Sequence, residues 1–195
     1  MISYEDSLKI LKETNALIDG HFILSSVLHN SQYVQCAQLL SKPEKAKIIC
    51  ESLAEKINDT FKNIDIIFSP AIGGIIIGYE IGRLLKKPTI FCERVENKFL
   101  LRRNFSIPKN SNVLIVEDVI TTGKSSLECS NIIKKNGANI LGYACIIDRS
   151  NNKSLIKDKI TSQIKIDIPT FNKENIPKEL SKIKAVPSSL NDALN

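Results

Sequence analysis

The chain contains no tryptophan, one methionine and only two histidines, and aromatic residues make up 6% of its 195 positions. His21 and His29 are too few and too badly spaced for a zinc site. Five cysteines (Cys36, Cys50, Cys92, Cys129, Cys145) are odd in number and scattered, with no CxxC. They read as buried or half-buried free thiols in a reducing cytosol, neither a disulfide framework nor metal ligands. Long hydrophobic runs are missing too: the longest, Ile72–Ile81, is broken by Gly73, Gly74, Gly78, Tyr79 and Glu80, too short and too polar to span a bilayer. The opening MISYEDSLKI is amphipathic and acidic, unlike a secretory signal. No basic run is interleaved with aromatics, so nucleic acid is not the expected partner. The lysines in 42–47, 134–135 and 151–159 read as solvated faces. The nucleotide P-loop pattern is absent, since no glycine lies five residues before Gly123. Together these absences predict a soluble, cytoplasmic protein.

What remains is an ordinary globular composition, 43% apolar and 25% charged, with a formal charge of +6. The length suits one domain spanning 1–195. A moderate positive field also suits an enzyme whose substrates are strongly anionic. Apolar spacing predicts a helix over Tyr4–Ile18, closed at Asp19-Gly20. Two short strands follow, His21–Ser26 and Gln32–Gln35, around a turn at Leu28–Ser31. A Pro43-initiated helix runs to about Phe61. Strands at Ile64–Ser69, Thr89–Glu93, Val113–Glu117 and Ile140–Ile147 then alternate with helices at Ile75–Leu85 and Ser125–Asn136. Gln163–Ile168 reads as an edge strand, with a helical turn near Lys178–Leu180. The alternation says α/β with a mostly parallel sheet.

The most informative stretch is VLIVEDVITTGKSS, Val113–Ser126. A β-branched apolar run is followed by Glu117 and Asp118, where the strand is expected to leave the sheet, then by the small, hydroxyl-rich Thr121-Thr122-Gly123-Lys124-Ser125-Ser126, then by a helix. Such a turn points free backbone N–H groups at an anion. The two carboxylates beside it can accept from sugar hydroxyls or approach a divalent cation. A phosphorylated sugar with neighbouring hydroxyls fits that arrangement. Pro70-Ala71-Ile72-Gly73-Gly74 repeats the strand–glycine–helix theme, although a glycine turn serving only close helix packing would read alike. Two phosphate groups on one substrate would use both turns. Residues 94–104 carry Arg94, Lys98, Arg102 and Arg103 in a segment too polar for the core, a candidate lid or a plain solvated hairpin. Asp148-Arg149-Ser150 ends the fifth strand. An arginine there lies on the edge where α/β sheets bind ligands, or pairs with a surface acid.

VLIVEDVITTGKSS resembles the phosphoribosyl pyrophosphate signature of the type I phosphoribosyltransferases. Where the 6-oxopurine enzymes of that family carry an aspartate, this chain has Thr121, which cannot act as a general base at neutral pH. The chain instead resembles the orotate phosphoribosyltransferases in their shorter bacterial form. The likeness is carried also by GHFILSSVLHNSQYV (20–34), FSPAIGGIIIGYEIGR (68–83), CERVENKFLLRRNF (92–105), IDRS (147–150) and, more weakly, DIPTF (167–171) and KAVPSSL (184–190). It is collinear over nearly the whole chain.

That resemblance implies a type I phosphoribosyltransferase fold: a mostly parallel sheet flanked by helices, a small hood built from about 1–40 and 160–195, and a lid at about 94–105. It implies transfer of phosphoribose from phosphoribosyl pyrophosphate to orotate, giving orotidine monophosphate and pyrophosphate in pyrimidine synthesis. By the same resemblance, Val119, Ile120, Thr121, Thr122, Gly123, Lys124 and Ser125 bind phosphoribosyl pyrophosphate, the backbone N–H groups of Thr121–Ser125 holding its 5′-phosphate, with Glu117 and Asp118 on the ribose. Ile72, Gly73 and Gly74 form the pyrophosphate loop. Thr121 and Arg149 bind orotate. Arg94 and Lys98 reach the pyrophosphate from the neighbouring subunit of a homodimer. Mg2+ is held mainly by the substrate and not by a dedicated protein site. The chain departs from the common pattern in placing Val95 after Arg94, Leu100 near the usual lid histidine, and Gly73 and Ser25 where lysines often stand; Arg102 or Arg103 is the candidate to replace those cations. Phe171–Leu180 holds no cysteine, so no metal or disulfide is expected there. Transfer to a purine or uracil is the rival within the class, opposed by Thr121 and Arg149. A ligand-sensing regulator of the same fold would be expected to carry a DNA-binding appendage or a basic patch, and neither is visible.

Overall fold

Ser3 starts the first helix by accepting a hydrogen bond on Oγ from the Asp6 amide (3.0 Å), and Glu5 and Asp6 complement the exposed amides of the first turn. The computed structural model describes residues 1–24, 26–151 and 153–188. Helix α1 (Tyr4–Glu13) buries Ile10 and Leu11 and ends at Thr14. The sequence reading carried it on through Ile18. The chain instead reverses at Asn15 in the left-handed region (φ 59°), which asparagine tolerates, so Leu17 opens strand β1 (Leu17–Ile23). Gly20 therefore closes no helix; it sits where the strand register shifts between Asp19 and Phe22. Strand β2 (His29–Val34) pairs antiparallel with β1, and the turn between them falls before His29, closed by Leu24 N–H donating to the Leu28 carbonyl (2.8 Å). The expected turn at Leu28–Ser31 is thus mostly strand.

A short helix α2 (Cys36–Leu40), not anticipated, precedes α3 (Pro43–Thr60). Then come β3 (Ile66–Pro70), α4 (Gly73–Leu85), β4 (Thr89–Val95), β5 (Lys98–Leu101) and β6 (Asn112–Ile120). The chain continues through α5 (Lys124–Lys135), β7 (Asn139–Asp148), β8 (Ile160–Lys165), β9 (Thr170–Phe171), α6 (Lys178–Ser181) and β10 (Val186–Pro187).

The main sheet has the order β5-β4-β3-β6-β7-β8, parallel throughout except for β5. Alternation divides its side chains between two layers. Ile67, Leu114, Val116, Ala144 and Ile146 pack with Ile49, Leu53, Ile77 and Ile81 of α3 and α4. Ile66, Phe68, Val113, Ile115, Tyr143 and Cys145 pack with Cys129 and Ile133 of α5. All five cysteines are buried free thiols. A second sheet, β10-β1-β2-β9, joins strands from both ends of the chain. From β3 the connectivity runs one way to β4 and the other way to β6, so a crevice opens between the carboxyl ends of β3 and β6, the place where such sheets bind ligands.

Candidate active site

Two helices begin at that crevice without caps. α4 starts after Ile72 and α5 after Gly123, neither with a side-chain cap nor an acidic residue in its first turn. The contrast with the self-capped α1 is physical: apart from the Lys124 N–H, which donates to Thr122 Oγ1 (3.4 Å), the first amides of α4 and α5 are open to an external anion. Gly73 and Gly74 belong to the first turn of α4, not to a loop before it. Gly123 has φ +78°, and a Cβ there would fall 2.7 Å from Ile156 Cγ1 and 2.8 Å from Ser154 Oγ, so the turn is pressed onto the 153–156 segment. Leu155 N–H donates to the Thr122 carbonyl (2.9 Å) and ties the two together. Between Glu117 and the residues 119–126 lies a cavity of about 70 Å3, small enough to hold one anionic group.

Strand β6 runs further than its sequence suggested, so both acids still lie on it: Val119 and Ile120 remain paired with Ile147 and Asp148. The consequence is that Glu117 and Asp118 point to opposite faces of the sheet. Glu117 is buried against α5, where the Ser126 hydroxyl donates to its Oε1. Burial pushes its carboxyl up to about 7, opposed by the Ser126 hydrogen bond and assisted by the charge of Asp118. Asp118 faces the start of α4; a Cβ added at Gly73 would sit 2.8 Å from its Oδ2. Its pKa is also raised by burial, partly offset by hydrogen bonds from the Val119 and Asp118 backbone.

Beyond Thr121 and Thr122 opens a larger cavity of about 860 Å3, reached by Leu24, Arg149, Lys153, Asp167 and Thr170. Arg149 extends the sheet pairing by donating its N–H to the Ile120 carbonyl (2.8 Å), which fixes its backbone beside Thr121. Its side chain is half-buried, and its Nε is buried without a hydrogen-bond partner. The part of the guanidinium that reaches the cavity wall suits an anionic acceptor. Another cavity, about 320 Å3 between Asn58, Phe61, Lys62, Leu85 and Lys87, opens at the amino end of the strands and touches none of these residues.

Residues 37–181 match the phosphoribosyl transferase domain model. Orotate phosphoribosyltransferase of Parvibaculum lavamentivorans is 45% identical over 184 residues, covering 92% of this chain and 95% of that protein. The chain belongs to the orotate phosphoribosyltransferase family. Among solved structures, orotate phosphoribosyltransferase from Aeropyrum pernix superposes with a TM-score of 0.71 at 22% identity, covering 81% of this chain and 92% of that one. Adenine phosphoribosyltransferase from Saccharomyces cerevisiae gives 0.61 at 17% identity, covering 80% and 99%. Both carry the type I phosphoribosyltransferase fold that the sequence resemblance implied.

Within this family fold the candidate lid is an ordered antiparallel hairpin, β4–β5, turning at Glu96-Asn97 with both φ positive (47° and 63°). Arg94 is held by Glu128 of α5 (3.0 Å), by the Asn97 carbonyl (2.8 Å) and over the Phe99 ring (4.0 Å). Lys98 is exposed at the hairpin tip. Arg102 and Arg103 both pair with Glu93 (3.6 and 2.5 Å). Ser25, a position of interest in the first hairpin, lies outside the described residues, as do Ser189 and Leu190 of the KAVPSSL segment. Sequence reasoning missed Ser126, the partner of Glu117, and Asn30, a buried strand residue beside Arg149. The Ser126 hydroxyl lay inside the quoted motif. Asn30 gave no signal because it was read as part of a turn.

Proposed function

We propose that the chain joins orotate to phosphoribosyl pyrophosphate, releasing pyrophosphate and forming orotidine monophosphate. The observation that carries this reading is Arg149: a half-buried guanidinium walling a large cavity that shares Thr121 and Thr122 with the small anion-sized one. A planar acid fits such a planar cation. The open amides of the α5 start fit a 5′-phosphate, and those of the α4 start fit the pyrophosphate.

The chemistry then asks for placement and charge more than proton transfer. Orotate, with its ring nitrogen already deprotonated, attacks C1 of the ribose as an anion while the bond to pyrophosphate breaks and positive charge grows on the sugar. Asp167 is the one carboxylate among the described residues lining the larger cavity, and Thr121 offers a hydroxyl. Glu117 and Asp118, approaching the ribose from the two faces of β6, accept from its hydroxyls and favour the developing cation. Among the described residues no group of three or more His, Cys, Asp or Glu could hold a metal ion by itself. Asp118, facing the start of α4 where the pyrophosphate is placed, is the carboxylate that would stand beside a cation the substrate brings. Mg2+ held there would neutralise the departing pyrophosphate.

A homodimer and a cytoplasmic location complete the reading. Exposed Ile72, Ile76 and Tyr79 form an apolar stripe along α4 at helical spacing, beginning at the pyrophosphate loop, and support a subunit contact next to the site. No helix among the described residues is long and apolar enough to cross a membrane.

Loss of orotate absorbance on mixing with phosphoribosyl pyrophosphate, with and without Mg2+, tests the proposal. Turnover with hypoxanthine or uracil and none with orotate would reassign the base; turnover with none of them would remove the catalytic reading.

A further inference from the structure

Asn30 is fully buried in the middle of the small sheet, where its strand β2 pairs with β1 and β9, opposite Phe22 and Thr170. In the amide orientation that satisfies its neighbours, Nδ2 donates to the His29 carbonyl (3.0 Å) and Oδ1 accepts from Nη2 of Arg149 (3.2 Å). His29 is itself fixed: its Nδ1 meets His21 Nε2 at 2.7 Å, and His21 Nδ1 meets the Ile183 carbonyl at 3.0 Å. The acceptor for Arg149 therefore sits on a strand braced from both sides.

From this geometry we infer that Asn30 is a positioning residue for the pyrimidine site: it holds one end of the Arg149 guanidinium, setting the ring of donors so that the remaining ones meet a carboxylate in the cavity. The inference rests on the reading of orotate as substrate. A guanidinium has five N–H donors in one plane, and one fixed hydrogen bond from Nη2 removes most of its rotational freedom. The half-buried guanidinium, which lines the cavity, is then held in a set direction. The chemistry of the holder matters. A neutral amide grips the cation without cancelling its charge, whereas a carboxylate in the same place would form an ion pair and compete with the anionic ligand. Asn30 is wholly buried and is not among the residues lining the cavity, so it acts through Arg149.

Steady-state kinetics of the full-length chain provide the test, with Asn30→Asp, Asn30→Ala, Arg149→Ala and the Asn30→Ala/Arg149→Ala double variant. Asn30→Asp keeps the shape but loses the donor to the His29 carbonyl and buries a charge, so thermal unfolding is measured beside the kinetics: a merely structural role lowers the midpoint and moves both KM values together. Positioning predicts that Asn30→Asp raises the KM for orotate by about tenfold or more while the KM for phosphoribosyl pyrophosphate moves by less than about twofold. Asn30→Ala raises the orotate KM by about tenfold alone but by less than about twofold when Arg149 is already Ala. Equal effects on both substrates, an unchanged orotate KM in Asn30→Asp, or the same Asn30→Ala effect without Arg149 would overturn the assignment. Should Asn30→Ala fail to fold, Asn30→Asp decides by itself. A wild-type chain that does not turn over orotate sinks the functional reading instead, so the two failures are told apart.

Discussion

Gly73 at the start of α4 lies directly against the carboxylate of Asp118 on β6, so closely that a Cβ on Gly73 would stand 2.8 and 2.9 Å from the two carboxylate oxygens. This contact joins the two glycine-bearing turns across the crevice. No side chain can be inserted there without moving either the α4 amides or the acid. Gly73→Ala is therefore expected to leave the fold intact, since Gly73 is exposed, and to lower kcat/KM for phosphoribosyl pyrophosphate by about a hundredfold, the scale of a misplaced reacting geometry. Kinetics within about threefold of wild type would show that the contact is incidental.

Glu117 gives a pH signature. Its folded-state value of about 7 stands above the usual 4.5, so between those values the folded chain keeps a proton that the unfolded chain has released. Stability of the ligand-free protein consequently falls as pH rises through this window and levels off above it, by up to about 3 kcal/mol for a shift of this size. Glu117→Gln removes the proton and the descent with it. Thermal unfolding at pH 5 to 8 should show the variant gaining on wild type as pH rises; parallel curves would contradict the burial argument.

Arg149→Lys keeps the charge and loses the fork. A lysine ammonium cannot offer two coplanar donors, so the orotate KM should rise by about a hundredfold with little change in the KM for phosphoribosyl pyrophosphate. Titration calorimetry of each substrate alone checks the split. A joint loss of both affinities would place Arg149 in the sugar site instead.

The lid cations separate into two groups. Arg102 and Arg103 are both engaged by Glu93 at the surface, and Arg103→Ala or Arg102→Ala should change the KM for phosphoribosyl pyrophosphate by less than about twofold. Arg94→Ala and Lys98→Ala should lower kcat by about tenfold or more, as expected for donors that meet the leaving group only during reaction. A large rise in KM for phosphoribosyl pyrophosphate in either Arg102→Ala or Arg103→Ala would make that arginine a substitute for the missing lid lysine.

The sequence was most legible where a single segment carries its own chemistry. Val113–Ser126 announced strand, acids and glycine turn because neighbouring residues make the whole arrangement, and Gly123 indeed adopts a positive φ. It was least legible where placement depends on distant chain. Leu17 fits a helical spacing as well as a strand, and only pairing with Val34 decides between them. His29 and Asn30 look like turn residues by type, yet Phe171 and Thr170 hold them in a sheet. Local propensity likewise could not separate the faces of Glu117 and Asp118, since that depends on β6 staying paired with β7 as far as Ile120.

The small sheet bears on how such a chain could change its habits. The turns proposed for the phosphates lie at the main sheet, whereas the Arg149 side chain is reached by a strand from the chain's opening that pairs on one side with a piece of its ending. The base-side arginine thus takes its backbone setting from the main sheet and its side-chain anchor from the small one. Swapping the residues between His21 and Asn30 for those of a relative therefore alters that anchor while the sequence of the phosphate-binding turns is unchanged.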